Sequence, residues 1–223
     1  MRLIIQLVLW VVIAVLGYLL FNSVYEPVQF NKLKVKRYAK VIENLKDIRA
    51  AELAHLEITG KFTGSFDSLV QFIDTAEYAI TQRRDTSYPD VERNKAFGLH
   101  PTDGGYYLEE VIIDTLSFAS VKDSLFKGSD RYRTMMNIPI EGVDKKVKLE
   151  AGTVLKNDNP MQVFEASVAK DDILHDQPRD LVIPEKQTVS VDGVNGTHII
   201  VGSMDDVNTN GNWPKMYDSK NDE

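Results

Sequence analysis

The feature that most constrains this chain is an apolar block at residues 3–21, LIIQLVLWVVIAVLGYLLF, in which Gln6 is the only strongly polar side chain. Wound as a helix rising about 1.5 Å per residue, a block of this length covers roughly 28 Å, close to the hydrocarbon thickness of a bilayer. A cleaved secretory signal carries a shorter apolar region followed by small residues of the A-x-A kind. Here the chain continues NSVYE at residues 22–26. The pattern therefore predicts a retained single-pass anchor over residues 1–22, in preference to a cleaved signal or a buried core helix. Leu3, Trp10, Gly17 and Phe21 mark that anchor, and Tyr18 and Tyr25 fall where an interfacial aromatic belt would. Ala14 and Gly17 are small but only three apart, short of a small-xxx-small packing motif.

Two signals for orientation oppose one another. Arg2 stands alone before the block, whereas Lys32, Lys34, Lys36, Arg37 and Lys40 follow it, which by the positive-inside rule places the larger part in the cytoplasm. Those lysines lie well beyond the apolar block, however, and on a continuing helix they belong to its solvated face. Both topologies follow from the residues.

Between Asn31 and Thr59 there is no proline or glycine, and Tyr38, Ile42, Leu45, Ile48, Ala51 and Ile58 recur at helical spacing with His55 on the same side. Lys36, Lys40, Glu43, Lys46, Asp47 and Arg49 occupy the other face, and Gly60 supplies a stop. Residues 23–61 are thus a linker and amphipathic helix, with Tyr38, Ile42, Leu45 and Ile48 as packing positions. Pro27 either kinks the helix or occupies a first turn, so one long rod over residues 3–59 is expected.

The rest reads as an α+β head over residues 62–205 and a polar tail over 206–223. Ser65 precedes FDSLVQFIDTAE, where Phe66, Leu69, Val70 and Ile73 form one apolar stripe of a short helix. Residues 78–82 alternate like a strand, and 83–105, polar with two prolines and three glycines, read as a long partner-facing loop. Strands are expected at 110–117, 133–140, 146–150, 162–168, 187–194 and 197–202. The last two flank Asn195-Gly196, a dipeptide suited to a type I′ hairpin, with Val189 and Val191 facing Ile199 and Val201. The expected architecture is an antiparallel sheet packed on the rod's apolar face.

Absence of cysteine excludes disulfide frameworks, thiolate zinc sites, iron–sulfur clusters and cysteine nucleophiles. A net charge of −7 argues against broad nucleic-acid binding. Charge is also segregated: residues 31–61 hold eight basic and four acidic side chains, residues 150–223 six and fourteen. The two regions are either ordinary solvated faces or mutually attractive ones, within the fold or between subunits.

The segment at residues 38–73, YAKVIENLKDIRAAELAHLEITGKFTGSFDSLVQFI, resembles type IV pilins and type II secretion pseudopilins, as does TGKF at residues 59–62. Gly17 and Pro27 resemble the helix-softening positions of pilins. The apolar block begins at Leu3 with no leader before it, and Gln6 is the polar residue nearest the position where pilins carry a glutamate. The whole chain, ending VGSMDDVNTNGNW before its last ten residues, is also similar to single-pass envelope proteins of Gram-negative bacteria. The resemblance implies an N-terminal helix that packs on an antiparallel sheet, bacterial inner-membrane residence with the head periplasmic in preference to cytoplasmic, and partnership with envelope-complex proteins and further copies of the chain.

Weak chemical signals remain. Asp206, Asn208, Asn210 and Gly211 match the first half of a calcium loop, but Tyr217 stands at the twelfth position and Pro214 interrupts the pattern. An Asx-rich turn explains the same residues, so calcium is a minor alternative and no other cofactor is expected. His55, His100, His175 and His198 lack ligand spacing, and Asp171, Asp172, His175 and Asp176 fit a polar turn. No phosphate loop or nucleophile elbow is present. Two functions are compatible with these features. One is a non-enzymatic structural or assembly subunit of an envelope machine; the other is a membrane-anchored adaptor or sensor with a cytoplasmic ligand- or metal-binding domain.

Overall fold

The computed structural model describes residues 2–99 and 104–218. His100 and the last five residues of the expected polar tail lie outside the described residues. The chain is α+β, with one long N-terminal helix and two antiparallel sheets. It divides into two compact units: Phe72–Ser129 forms one, and the flanking stretches Met1–Gln71 and Asp130–Glu223 form the other.

In the larger unit, helix α1 runs unbroken over Arg2–Thr59, with Pro27 inside it. Proline lacks the N–H that would bond back one turn, yet the helix resumes because thirty-two residues without glycine or proline follow. Gly60 ends it: its φ of +76° is a left-handed conformation that costs glycine little, and its N–H closes on the Leu56 carbonyl at 2.8 Å. Tyr38, Val41, Ile42, Leu45, Ile48 and Ala51 are buried, a three-and-four spacing that lines one face. Ile58 departs from the expected stripe and is 40% exposed, because it lies in the last turn.

That face packs on strands β4 and β5 of a three-stranded sheet. The sheet orders β3 (Lys148–Lys156), β4 (Asn159–Ala169) and β5 (His198–Gly202), all antiparallel, with β4 central. Val163, Phe164, Ala166 and Val168 of β4 and Ile199 and Val201 of β5 are buried, and the Phe62 and Phe164 rings meet at 4.7 Å between centroids. Two short helices, α5 (Lys170–Ile173) and α6 (Arg179–Lys186), join β4 to β5.

Three expected strands or turns are corrected here. Residues 133–140 are not a strand: a 3-10 helix covers Arg131–Thr134, and only Asn137 makes an isolated bridge, to Lys146. Pro139 has no N–H for a ladder, and Tyr132, Met135, Ile138 and Ile140 are buried without strand pairing. Residues 187–194 are also not a strand, with Val189 and Val191 more than 90% exposed. The Asn195-Gly196 hairpin therefore does not form. Ile199 faces Val168 and Val201 faces Ala166 instead, since burying those side chains between α1 and β4 outweighs a local turn preference. The positive-φ hairpin turn lies elsewhere, at Asn157 (φ 52°) and Asp158 (φ 61°) between β3 and β4.

The smaller unit begins within helix α2 (Phe66–Thr75), on which Leu69, Phe72 and Ile73 are buried. Two long strands follow, β1 (Glu77–Pro89) and β2 (Tyr107–Ser120), paired antiparallel over their whole length with one irregularity between Ile80 and Thr81. The expected loop at 83–105 is thus corrected: its first seven residues are strand, and Val91–Ala96 is a short helix, α3. Asp90 caps α3 by accepting from the Arg93 N–H at 3.0 Å. Buried Asn94 exchanges two bonds with the Tyr106 backbone, at 2.9 and 2.7 Å, and closes the end of the ribbon. At the other end Ser120 opens helix α4 (Val121–Phe126), with Val121 and Phe126 buried.

Candidate functional site

The N-terminal part of α1 is the first candidate. Leu3, Trp10 and Phe21 are 81%, 71% and 63% exposed, and Phe21 stacks on Tyr25 at 5.3 Å. Gly17 has open space where a side chain would be. Among the described residues one helix is long and apolar enough to cross a membrane. The packing positions Tyr38, Ile42, Leu45 and Ile48 have a different place: the chain's own sheet and helices bury them.

Where the helix enters the fold, a charged clasp holds it. Lys170, fully buried, donates to the carbonyls of Glu185 and Val194, both at 2.8 Å, and approaches the Glu185 carboxylate at 3.4 Å. That carboxylate also accepts from Lys34 at 2.8 Å and from the Tyr38 hydroxyl at 3.2 Å. Burial lowers the Lys170 ammonium below the usual lysine range, with Glu185 opposing the shift, and raises the Tyr38 phenol. One turn away, Arg37 forms a bidentate pair with Asp176 and donates to the Ile173 carbonyl at 2.9 Å. Its guanidinium holds the Asp176 carboxyl below the ordinary aspartate range. Arg131 makes a similar fork to Asp47, and Lys46 reaches the Tyr217 carbonyl and Asp218. The basic helix and the acidic C-terminal region therefore meet within the fold at Lys34–Glu185, Arg37–Asp176 and Lys46–Asp218.

A third place is a groove of about 450 Å³ lined by His55, Lys61, Phe62, Thr63, Gly64, Ser68, Ala151, Gly152, Thr153 and Gln162. Beneath the Thr63 backbone, whose N–H donates to it at 2.9 Å, lies fully buried Glu52. Its Oε1 has no hydrogen-bond partner among the described residues, and burial pushes its carboxyl up to about 8. His55 Nδ1 lies 2.6 Å from the Lys61 carbonyl and 3.0 Å from Thr59 Oγ1, a structural tie that bends the chain after Gly60.

The calcium-like loop is organised by its own Asx turns. Asp206 accepts from Lys156 at 2.9 Å and from the Val207 N–H at 2.7 Å, Asn208 accepts from the Asn210 N–H, and Gly211 bridges to Val201. The Asp171 to Asp176 group disperses: Asp171 pairs with Lys186, Asp172 with Lys145 and Asp176 with Arg37. His198 is exposed on β5. Among the described residues no three His, Asp or Glu side chains are grouped to hold a metal ion.

The strands expected at 78–82 and 110–117 are present but longer than the sequence predicts, and they pair as a two-stranded ribbon, β1–β2. Ile113, Leu116 and Phe118 are more than 60% exposed, and Ile80, Tyr88, Tyr107, Leu108, Val111 and Ile112 are exposed as well. Polar side chains on β1 concealed its length: Arg83 faces Ile113, Arg84 faces Ile112 and Asp85 faces Val111, so apolar residues sit opposite charged ones. Neither outer edge of the ribbon pairs with a described strand. Comparison with protein-family models, curated proteins and solved structures finds no match.

Proposed function

We propose that this protein is a non-enzymatic, membrane-anchored structural subunit of a bacterial envelope assembly, pilin-like in plan, that acts by helix packing and protein–protein contact. The observation that carries the reading is the change of surroundings along α1. Its first part exposes an apolar surface on all sides, while its second part is buried against the sheet of its own chain. An exposed all-round apolar helix is stable in lipid rather than water, and one continuous helix transmits that position to the folded part. The clasp at Lys34, Arg37 and Tyr38 supports the same reading, since it ties α1 to α5 and α6 where the buried stretch of the helix begins.

The head is read as periplasmic. Expression of the full chain with alkaline phosphatase fused after Glu223 should give enzyme activity, whereas a green fluorescent fusion should stay dark; the reverse result overturns the orientation. Carbonate washing should leave the protein in the membrane fraction. Crosslinking in native membranes should capture neighbouring chains, and a protein that stays monomeric there with no neighbour sinks the assembly role.

A further inference from the structure

We propose that the β1–β2 ribbon is a self-assembly element, in which the outer edge of β1 pairs with the outer edge of β2 from a second copy of this chain. This deepens the assembly reading by naming the partner and the surface.

The ribbon is two strands of 13 and 14 residues, and among the described residues no third strand lies on either side. Two-stranded ribbons are marginal in water; three or more strands, or a packed face, confer independent stability. This one leaves apolar side chains exposed on both faces, including Ile112 and Ile113, which point oppositely as neighbours on a strand. An edge that no strand covers presents a row of backbone donors and acceptors, which template pairing with another strand.

Charge selects which edge meets which. β2 carries Glu109, Glu110 and Asp114 and no basic residue, while β1 carries the two strands' only basic side chains, Arg83 and Arg84, together with Glu77 and Asp85. A two-fold β2–β2 pairing brings an edge whose only charges are acidic against its own copy, whereas β1 offers that edge its arginines. Like charges opposite one another destabilise a ladder, and unlike charges favour it. The β1–β2 arrangement brings arginines to carboxylates, and it leaves a free edge of each kind on the growing assembly, so the contact is head-to-tail. The intrachain Arg84–Asp114 pair spans the two strands at the surface, with both side chains more than 40% exposed and able to meet a neighbour as well.

The test uses full-length chains in lipid nanodiscs carrying several copies, with two distinguishable tags. The double variant Arg83→Glu, Arg84→Glu has two acidic edges, and Glu109→Lys, Glu110→Lys gains basic character on the other. Each alone should lose self-association, whereas a mixture should recover it, since acidic edges then meet basic ones. The chain has no cysteine, so a single Gln82→Cys and a single Ile113→Cys chain each carry one thiol. A short bismaleimide should link the first to the second, with little linkage of either to itself. Equal β1–β1 and β2–β2 linkage, or no recovery in the charge mixture, overturns the proposal, as does exclusive linkage to a different membrane protein. If these fail while wild-type chains still crosslink to neighbours through other surfaces, the assembly reading stands and the ribbon contact falls. If wild-type chains show no neighbour at all, both fall.

Discussion

The two sheets of this protein are built from similar strands and meet opposite fates. In the three-stranded sheet, Ile199 and Val201 are buried where β5 meets α1, and Val163, Phe164, Ala166, Ser167 and Val168 of the central strand are buried, neighbours on both faces among them. In the two-stranded ribbon, Ile113, Leu116 and Phe118 have no such cover. Apolar content does not separate them. The difference is a partner: a helix supplied by the same chain in one case, none among the described residues in the other. An apolar strand that its own chain leaves uncovered is a statement about something outside it.

Substitutions can break or sharpen this contrast. The largest effect is expected where helix and sheet meet: Leu45→Ala should lower unfolding free energy by about 2–5 kcal/mol, since a buried side chain leaves a cavity. Denaturant titration of the full chain in detergent measures it, and a loss under about 1 kcal/mol would mean that α1 does not anchor the sheet. Lys170→Met should cost about 3 kcal/mol, because the Glu185 and Val194 carbonyls lose their buried donor. Full tolerance of that change would show that the clasp is dispensable.

Glu52 gives a pH signature. Its folded carboxyl is raised from 4.5 to about 8, so between these values the folded state holds a proton that the unfolded state has lost. Stability from this group is complete below pH 4.5 and declines as pH rises towards 8, at up to about 1.4 kcal/mol per unit. Glu52→Gln keeps the acceptor for the Thr63 N–H and should flatten the slope; melting curves at pH 5 and pH 8 for both chains decide it. Asp176→Asn should cost less than about 1 kcal/mol and lose its effect in high salt, because the carboxylate side of the pair is 46% exposed and solvent screens it. In the wild type, the low Asp176 value means that the pair's stability is present at neutral pH and is lost as pH falls below the normal aspartate range. Smallest of all, Ile113→Ala should change monomer stability by under about 0.5 kcal/mol, while weakening self-association. An effect as large as that of Leu45→Ala would place Ile113 in a core and end the contrast.

The elements legible in the residues are those whose signal is local. A nineteen-residue block interrupted only by Gln6, a three-and-four stripe from Tyr38 to Ala51, a stop at Gly60 and a cap at Ser65 each follow from neighbours in sequence, and the structure places α1 and α2 there. The charge segregation was legible too, as a possibility. Its resolution into Lys34–Glu185 and Arg37–Asp176 pairs required residues far apart in sequence to meet.

Local patterns failed where a distant competitor had more area to bury. Asn195-Gly196 is the better hairpin dipeptide, yet β5 pairs with β4 because Ile199 and Val201 enter the helix–sheet core, and the positive-φ turn falls to Asn157 and Asp158. Residues 83–89 look like loop because polar side chains alternate with nothing apolar, and they become strand because β2 supplies the hydrogen bonds. By itself the sequence determined the long apolar-to-amphipathic helix, the helical caps and the α+β class, since helical bonds and periodicity lie within four residues of one another. Only the tertiary structure decided strand partners, the burial of Lys170 and Glu52, and the exposure of the ribbon, because those depend on which surfaces compete for the same partner across the folded chain.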